Sequence, residues 1–146
     1  MSEKIFINTD GGSRGNPGPC GIGIVFFDEK GQEFHRHDEY IGEGTNNTAE
    51  YRAIIKALEI LTKSKWFVEN NSKENEVVCR LDSQLVVEQI NGRYKVKQSH
   101  IAEYMEEIKK LLSQSIVRVS FVHIPREQNK IADRLVNKAL DAKTVW

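Results

Sequence analysis

Four acidic residues of this chain stand where the backbone pattern is about to change. Asp10 follows the apolar run IFINT, and Asp82 follows EVVCRL. Glu50 heads an apolar stripe of Ile54, Ala57 and Leu58, and Asp133 precedes Val136 and Leu140 at +3 and +7. Taken singly, each has an ordinary explanation. An aspartate after a strand caps a turn, a glutamate early in a helix answers its dipole, and an aspartate within one faces water. Four such acids converging on one place need another account. Packed carboxylates repel, and one is pushed to hold its proton. A hard divalent cation with oxygen ligands relieves the repulsion, and Mg²⁺ suits a hydrated carboxylate site that also takes phosphate oxygens. Two such ions about 3.5–4 Å apart activate a water and stabilise a leaving oxygen.

Directly after Asp10 the chain reads GGSRGNPGPCGIG, so six of its ten glycines fall between Gly11 and Gly23. A tight turn is expected here. Gly11, Gly12 and Gly15 would remove side chains beside Asp10, so that backbone amides and a phosphate or ribose approach closely. No Gly-Lys-Ser/Thr follows, which excludes a phosphate-cradling P-loop.

The elements that must position these acids are legible from periodicity. Strands are expected over 4–9, 21–28, 32–42, 76–81 and 116–122, with a hairpin turn at Asp28–Gly31. Helices are expected over 47–62, 83–91, 98–113 and 127–141. The first is capped by Thr45, Asn46 or Asn47, with Glu50 in its first turn, and the second ends at Gly92. Residues 64–75 (SKWFVENNSKEN) read as a polar surface connection. The order β-β-β-α-β-α-α-β-α implies an α/β fold. Three antiparallel strands lead into parallel β-α-β units, giving a mixed five-stranded sheet flanked by helices. If the strands ending at Asp10 and Asp82 are parallel neighbours, both carboxylates reach the carboxyl edge where open α/β sheets bind ligands.

Composition bounds the rest. The 146 residues, 39% hydrophobic, fit a single domain over 1–146 with its own core. No apolar run spans a membrane and the N-terminus lacks a secretory pattern, so no membrane partner is expected. Cys20 and Cys79 are too few and too far apart for a metal knuckle or a disulfide framework, and a reduced, cytoplasmic setting follows. The 21 basic and 21 acidic residues balance. Any nucleic-acid contact is therefore local or aided by cations outside the sequence.

Four stretches, TDGGSRGNPGPCGIG (9–23), TNNTAEYRAIIKAL (45–58), RLDSQLVVEQINGRYKVK (80–97) and HIPREQNKIADRLVNKAL (123–140), carry a family resemblance. In this order and spacing the chain resembles a type 1 ribonuclease H over nearly its whole length. The resemblance implies the ribonuclease H-like fold and hydrolysis of the RNA strand of RNA–DNA hybrids with Mg²⁺ or Mn²⁺, two ions being engaged with substrate. The ends left are 5′-phosphate and 3′-hydroxyl. It maps the metal-binding acids onto Asp10, Glu50, Asp82 and Asp133. It supports minor-groove contacts for Asn16, Asn47 and Gln84 and DNA-phosphate contacts for Thr45 and Asn46.

The 2′-hydroxyl, both donor and acceptor, is read by short amides and backbone groups such as those of Gly11 and Gly12, and by the segment around Ser83 and Gln84. Arg14, Lys95 and Lys97 are candidate phosphate contacts, and Tyr94 packs either on a sugar or base edge or as a half-buried structural tyrosine. Two departures from the family stand out. Only RYKVK lies between the DSQ helix and the next, so the long basic extension of many relatives is missing. The loop before the last helix is shorter and carries Pro125. His123 is then a candidate for catalytic assistance or for the end of the fifth strand, and Arg126 for substrate contact.

Two other classes compete. A nonhydrolytic hybrid-binding module of the same fold would be marked by a lost acid. A transposase or junction-resolvase core would add domains or lack the TNN and DSQ residues. Nothing in the chain demands more than a monomer.

Overall fold

The computed structural model describes residues 2–143. Five strands, β1 (Lys4–Ser13), β2 (Gly18–Phe27), β3 (Glu33–Gly44), β4 (Glu76–Leu81) and β5 (Arg118–His123), form one sheet in the order β3-β2-β1-β4-β5. The first three pair antiparallel, and β1–β4 and β4–β5 pair parallel, as the strand order had implied. Five α-helices complete it: α1 (Asn46–Lys63), α2 (Lys65–Asn70), α3 (Gln84–Ile90), α4 (Ser99–Leu112) and α5 (Lys130–Lys143).

The β2–β3 hairpin closes as its turn chemistry requires. The Asp28 carboxylate accepts from the Lys30 and Gln32 amides, and Gly31 takes the positive φ of 81°. The core lies between one sheet face, bearing Ile5, Ile7, Ile22 and Ile24, and the apolar stripe of α1 with Ile101 and Ile108 of α4. Tyr51 of α1 stacks on Tyr104 of α4 with ring centroids 6.2 Å apart.

Several expectations are corrected. β1 does not end before Asp10 but runs on to Ser13, with Gly11 opposite Ile22 and Gly12 opposite Gly21. The two glycines therefore extend a strand and make no turn; the turn falls at 14–17. The stretch 64–75 contains the one-and-a-half-turn helix α2. Ser64 ends α1 and its side chain caps the Phe67 amide, while Phe67 is buried in the core. One buried aromatic outweighs a polar local composition, because its burial is a tertiary gain. The last helix is split: a 3₁₀ turn over Arg126–Gln128 precedes α5. The cap of α1 is Thr45, whose hydroxyl accepts from the Thr48 amide, so Glu50 lies past the first turn and is no dipole partner.

Candidate carboxylate site

The carboxylates are delivered by three separate elements. The parallel register pairs Asn8 with Arg80, so Asp10 and Asp82, two residues further along each chain, reach one edge of the sheet. Glu50 arrives on α1, and a close approach of helix to strand brings it there. A Cβ on Gly11 would lie 2.3 Å from the Ala49 carbonyl carbon and 2.6 Å from the Glu50 amide nitrogen. Only glycine lets α1 sit this low on β1. Gly23 does the same for α5, since a Cβ there would meet the Ala132 carbonyl oxygen at 2.2 Å. That contact seats the first turn of α5 and brings Asp133 to the rim.

Asp10, Glu50 and Asp82 each offer a carboxylate oxygen, and these atoms all lie within 4.8 Å of one another. Asp133 is outside that group; it is half-buried and lines the same cleft of about 470 Å³, together with Gly11, Gly12, Arg14, Asn46 and Arg126. Burial, then the charge of Asp82, raises the Asp10 pKa from 3.8 to about 7. Glu50 is pushed well above the ordinary carboxylate range by burial first and by Asp10 second. Its Oε2 is buried with no hydrogen-bond partner. An all-oxygen set with an orphaned buried acceptor and protons held against repulsion fits a hard divalent cation.

The other candidate residues fall into three groups. Asn16, Asn46 and Thr45 tie the glycine-rich segment to the start of α1. The Asn46 side chain accepts from the Ser13 amide, and the Asn16 side chain accepts from the Asn46 amide. Ser83 caps α3 and Gln84 is exposed at its first turn. Asn47, Lys95 and Lys97 line a second cleft of about 280 Å³ with Gln89 and Ile101, and Tyr94 is exposed nearby. Arg14 hydrogen-bonds Asp141 at 2.6 Å, and Arg126 stands 3.9 Å from Asp133. His123 is the exposed last residue of β5, opposite Leu81, and does not line the carboxylate cleft.

One residue escaped the sequence reading. Asn129, almost fully buried, donates through Nδ2 to the Thr9 carbonyl at 2.9 Å and to Asp82 Oδ2 at 3.2 Å. Its own carbonyl accepts from the Asp133 amide. It thus joins β1, Asp82 and the start of α5. Its place four residues before Asp133, at the foot of a helix, was the only available signal.

A family model described as reverse transcriptase-like matches residues 8–139. A ribonuclease H of Pseudomonas putida is 31% identical over 160 residues, covering 97% of this chain and 96% of that protein. The chain belongs to the ribonuclease H family. Within the family, a bifunctional protein of Mycobacterium tuberculosis is 39% identical over 95% of this chain, which spans only 36% of that relative's length. Among solved structures, LC11-RNase H1, isolated from compost, has 49% identity and a TM-score of 0.87, covering 96% of this chain and 97% of that one. The same protein has been solved with an RNA/DNA hybrid, at 47% identity and a TM-score of 0.87, covering 95% of this chain and 98% of that one.

Proposed function

We propose that this protein is an endonuclease that hydrolyses the RNA strand of RNA–DNA hybrids, leaving 5′-phosphate and 3′-hydroxyl ends. The observation that carries this reading is the convergence of Asp10, Glu50 and Asp82 from β1, α1 and the end of β4. The hybrid-bound structure of the compost relative supports the substrate class.

Asp10, Glu50 and Asp82, with Asp133 at the rim, would hold divalent cations, Mg²⁺ or Mn²⁺. Bound there, a pair of such ions supplies an activated water and stabilises the leaving oxygen. The chain's own residues do the rest. Burial of Asp10 and Glu50 keeps water from screening their charge, so loss of their protons is coupled to ion binding. Asn16, Asn47, Gln84 and the Gly11–Gly12 backbone are assigned to the minor groove and the 2′-hydroxyl. Thr45, Asn46, Arg14, Ser83, Tyr94, Lys95, Lys97 and Arg126 are assigned to backbone contacts. His123 ends β5 opposite Leu81 and outside the carboxylate cleft, so it is assigned the structural role rather than the assisting one. We further infer a monomer in the cytoplasm; among the described residues no helix is long and apolar enough to cross a membrane.

Cleavage of an end-labelled hybrid in Mg²⁺, beside Asp82→Asn, tests the assignment. RNA-strand cutting by the wild type alone is expected. Equal cutting by both would refute the carboxylate site. No cutting by either, in Mg²⁺ or Mn²⁺ and with hybrid binding intact, would establish a binding module.

A further inference from the structure

The heads of α1 and α3 stand between two clefts. On α1, Asn46 lines the carboxylate cleft and its neighbour Asn47 lines the second one. Before and at the start of α3, Asp82 lines the first cleft and Leu85 the second. The two differ in charge. Four acids line the first, whereas the second is lined by Lys95 and Lys97 and by no acidic residue. Neither lysine has an ion-pair partner among the described residues. On a chain whose net charge is zero, a cationic cleft of about 280 Å³ is a local place for a phosphate.

Gln89, half-buried near the end of α3, lines this second cleft and is held from behind. The Tyr51 hydroxyl donates to its Oε1 at 2.5 Å. Tyr51 is fully buried and its ring is stacked on Tyr104, so the hydroxyl is fixed in place. It lies one turn after Asn47 on α1 and directly follows Glu50. With Oε1 engaged, the Nε2 donors of Gln89 have no partner among the described residues. A polar group locked by a packed neighbour, with its remaining donors unused, is arranged for a ligand.

We propose that Gln89 donates to a backbone phosphate of the DNA strand, and that Tyr51 is the positioning residue that holds its amide. The proposal rests on the nuclease reading above, which puts the RNA strand at the carboxylates and Asn47 and Gln84 in the minor groove. The groove then lies over the ridge between the two clefts. Its far wall is the DNA strand, which comes to the second cleft. Contacts of this kind carry no sequence information; they fix the register of a duplex on the protein. A hydrogen bond to a phosphate is charge-assisted, so an acceptor-only side chain at position 89 would repel what the amide attracts.

The test combines hybrid affinity, by anisotropy in EDTA, with steady-state cleavage in Mg²⁺. Gln89→Met keeps the length of the side chain and removes the amide. It should raise Kd and KM about tenfold, the effect of one hydrogen bond to a charged group, and the cost should fall on KM rather than kcat. Gln89→Glu should cost more. Tyr51→Phe deletes only the hydroxyl; it should raise both constants about threefold, and add nothing in the Gln89→Met background. A neutral methylphosphonate at one position of the DNA strand should abolish the difference between wild type and Gln89→Met, and none in the RNA strand should. Equal Kd for wild type and Gln89→Met, a Tyr51→Phe cost that persists without the amide, or a dependence on RNA phosphates would overturn the proposal. Weaker binding by Gln89→Met in a protein that cuts no hybrid strikes only the nuclease reading. Cleavage with no effect of Gln89 strikes only this proposal, and a wild type that binds no hybrid overturns both.

Discussion

Asp10 and Glu50 hold protons because they are buried beside each other and Asp82. The sign of the linkage follows. Asp10 binds its proton more tightly folded, at about 7, than unfolded, near 3.8. Its contribution to stability is therefore full below about pH 4 and is lost as pH rises through 7. In chelator, the melting temperature should fall between pH 5 and 8. Asp10→Asn should flatten that fall and stabilise the metal-free protein at pH 8 by about 2–4 kcal/mol. Mg²⁺ should restore wild-type stability at pH 8 and leave the asparagine variant largely unmoved. At the same scale, Asn129→Ala removes the hydrogen bond that orients Asp82. Steady-state cleavage should show kcat reduced about 10–100-fold with KM little changed, the pattern of a positioning residue.

Among the elements, the decisive contact is that of α1 with β1. Gly11→Ala would drive a methyl into the Ala49 carbonyl, and backbone cannot step aside as a side chain can. We expect a loss of about 3 kcal/mol in urea unfolding, together with weakened Mg²⁺ binding as Glu50 is carried away from Asp10. Gly31→Ala is the comparison. Its φ of 81° is unfavourable, but nothing lies within 4 Å of the added carbon, so the loss should be about 1 kcal/mol with ion binding unchanged. Both glycines look alike in the sequence; one serves a turn, the other a helix–strand approach. The α2 helix was hidden for the same reason, since a polar stretch gives no local sign that Phe67 will be buried.

For the whole molecule, charge balance governs behaviour toward nucleic acid. With equal numbers of acids and bases, and only eight residues between α3 and α4, few cations are available to grip the hybrid that the proposed function requires. Affinity should rest on a small number of phosphate contacts and therefore be weak and fall only shallowly with salt. Anisotropy titrations between about 50 and 200 mM salt should show log Kd rising linearly with log salt, and Lys95→Ala or Lys97→Ala should each lower the slope by about one.

Strand order, the hairpin turn and the edge on which Asp10 and Asp82 meet could be read from apolar periodicity, turn residues and the β-α-β rule. These are local patterns, or topological rules that act on them. The acids themselves stood out because a carboxylate at the end of an apolar run is chemically conspicuous. What could not be read was distance. Whether Glu50 touches Asp10 depends on how closely a helix rides on a strand, and whether Asp82 is oriented depends on Asn129, 47 residues away in the chain. Arg80 likewise reads as an interruption in a strand until the register lays it over Phe6. Spacing along the chain encodes which face a side chain takes; close packing between elements alone sets which atoms come within reach of each other.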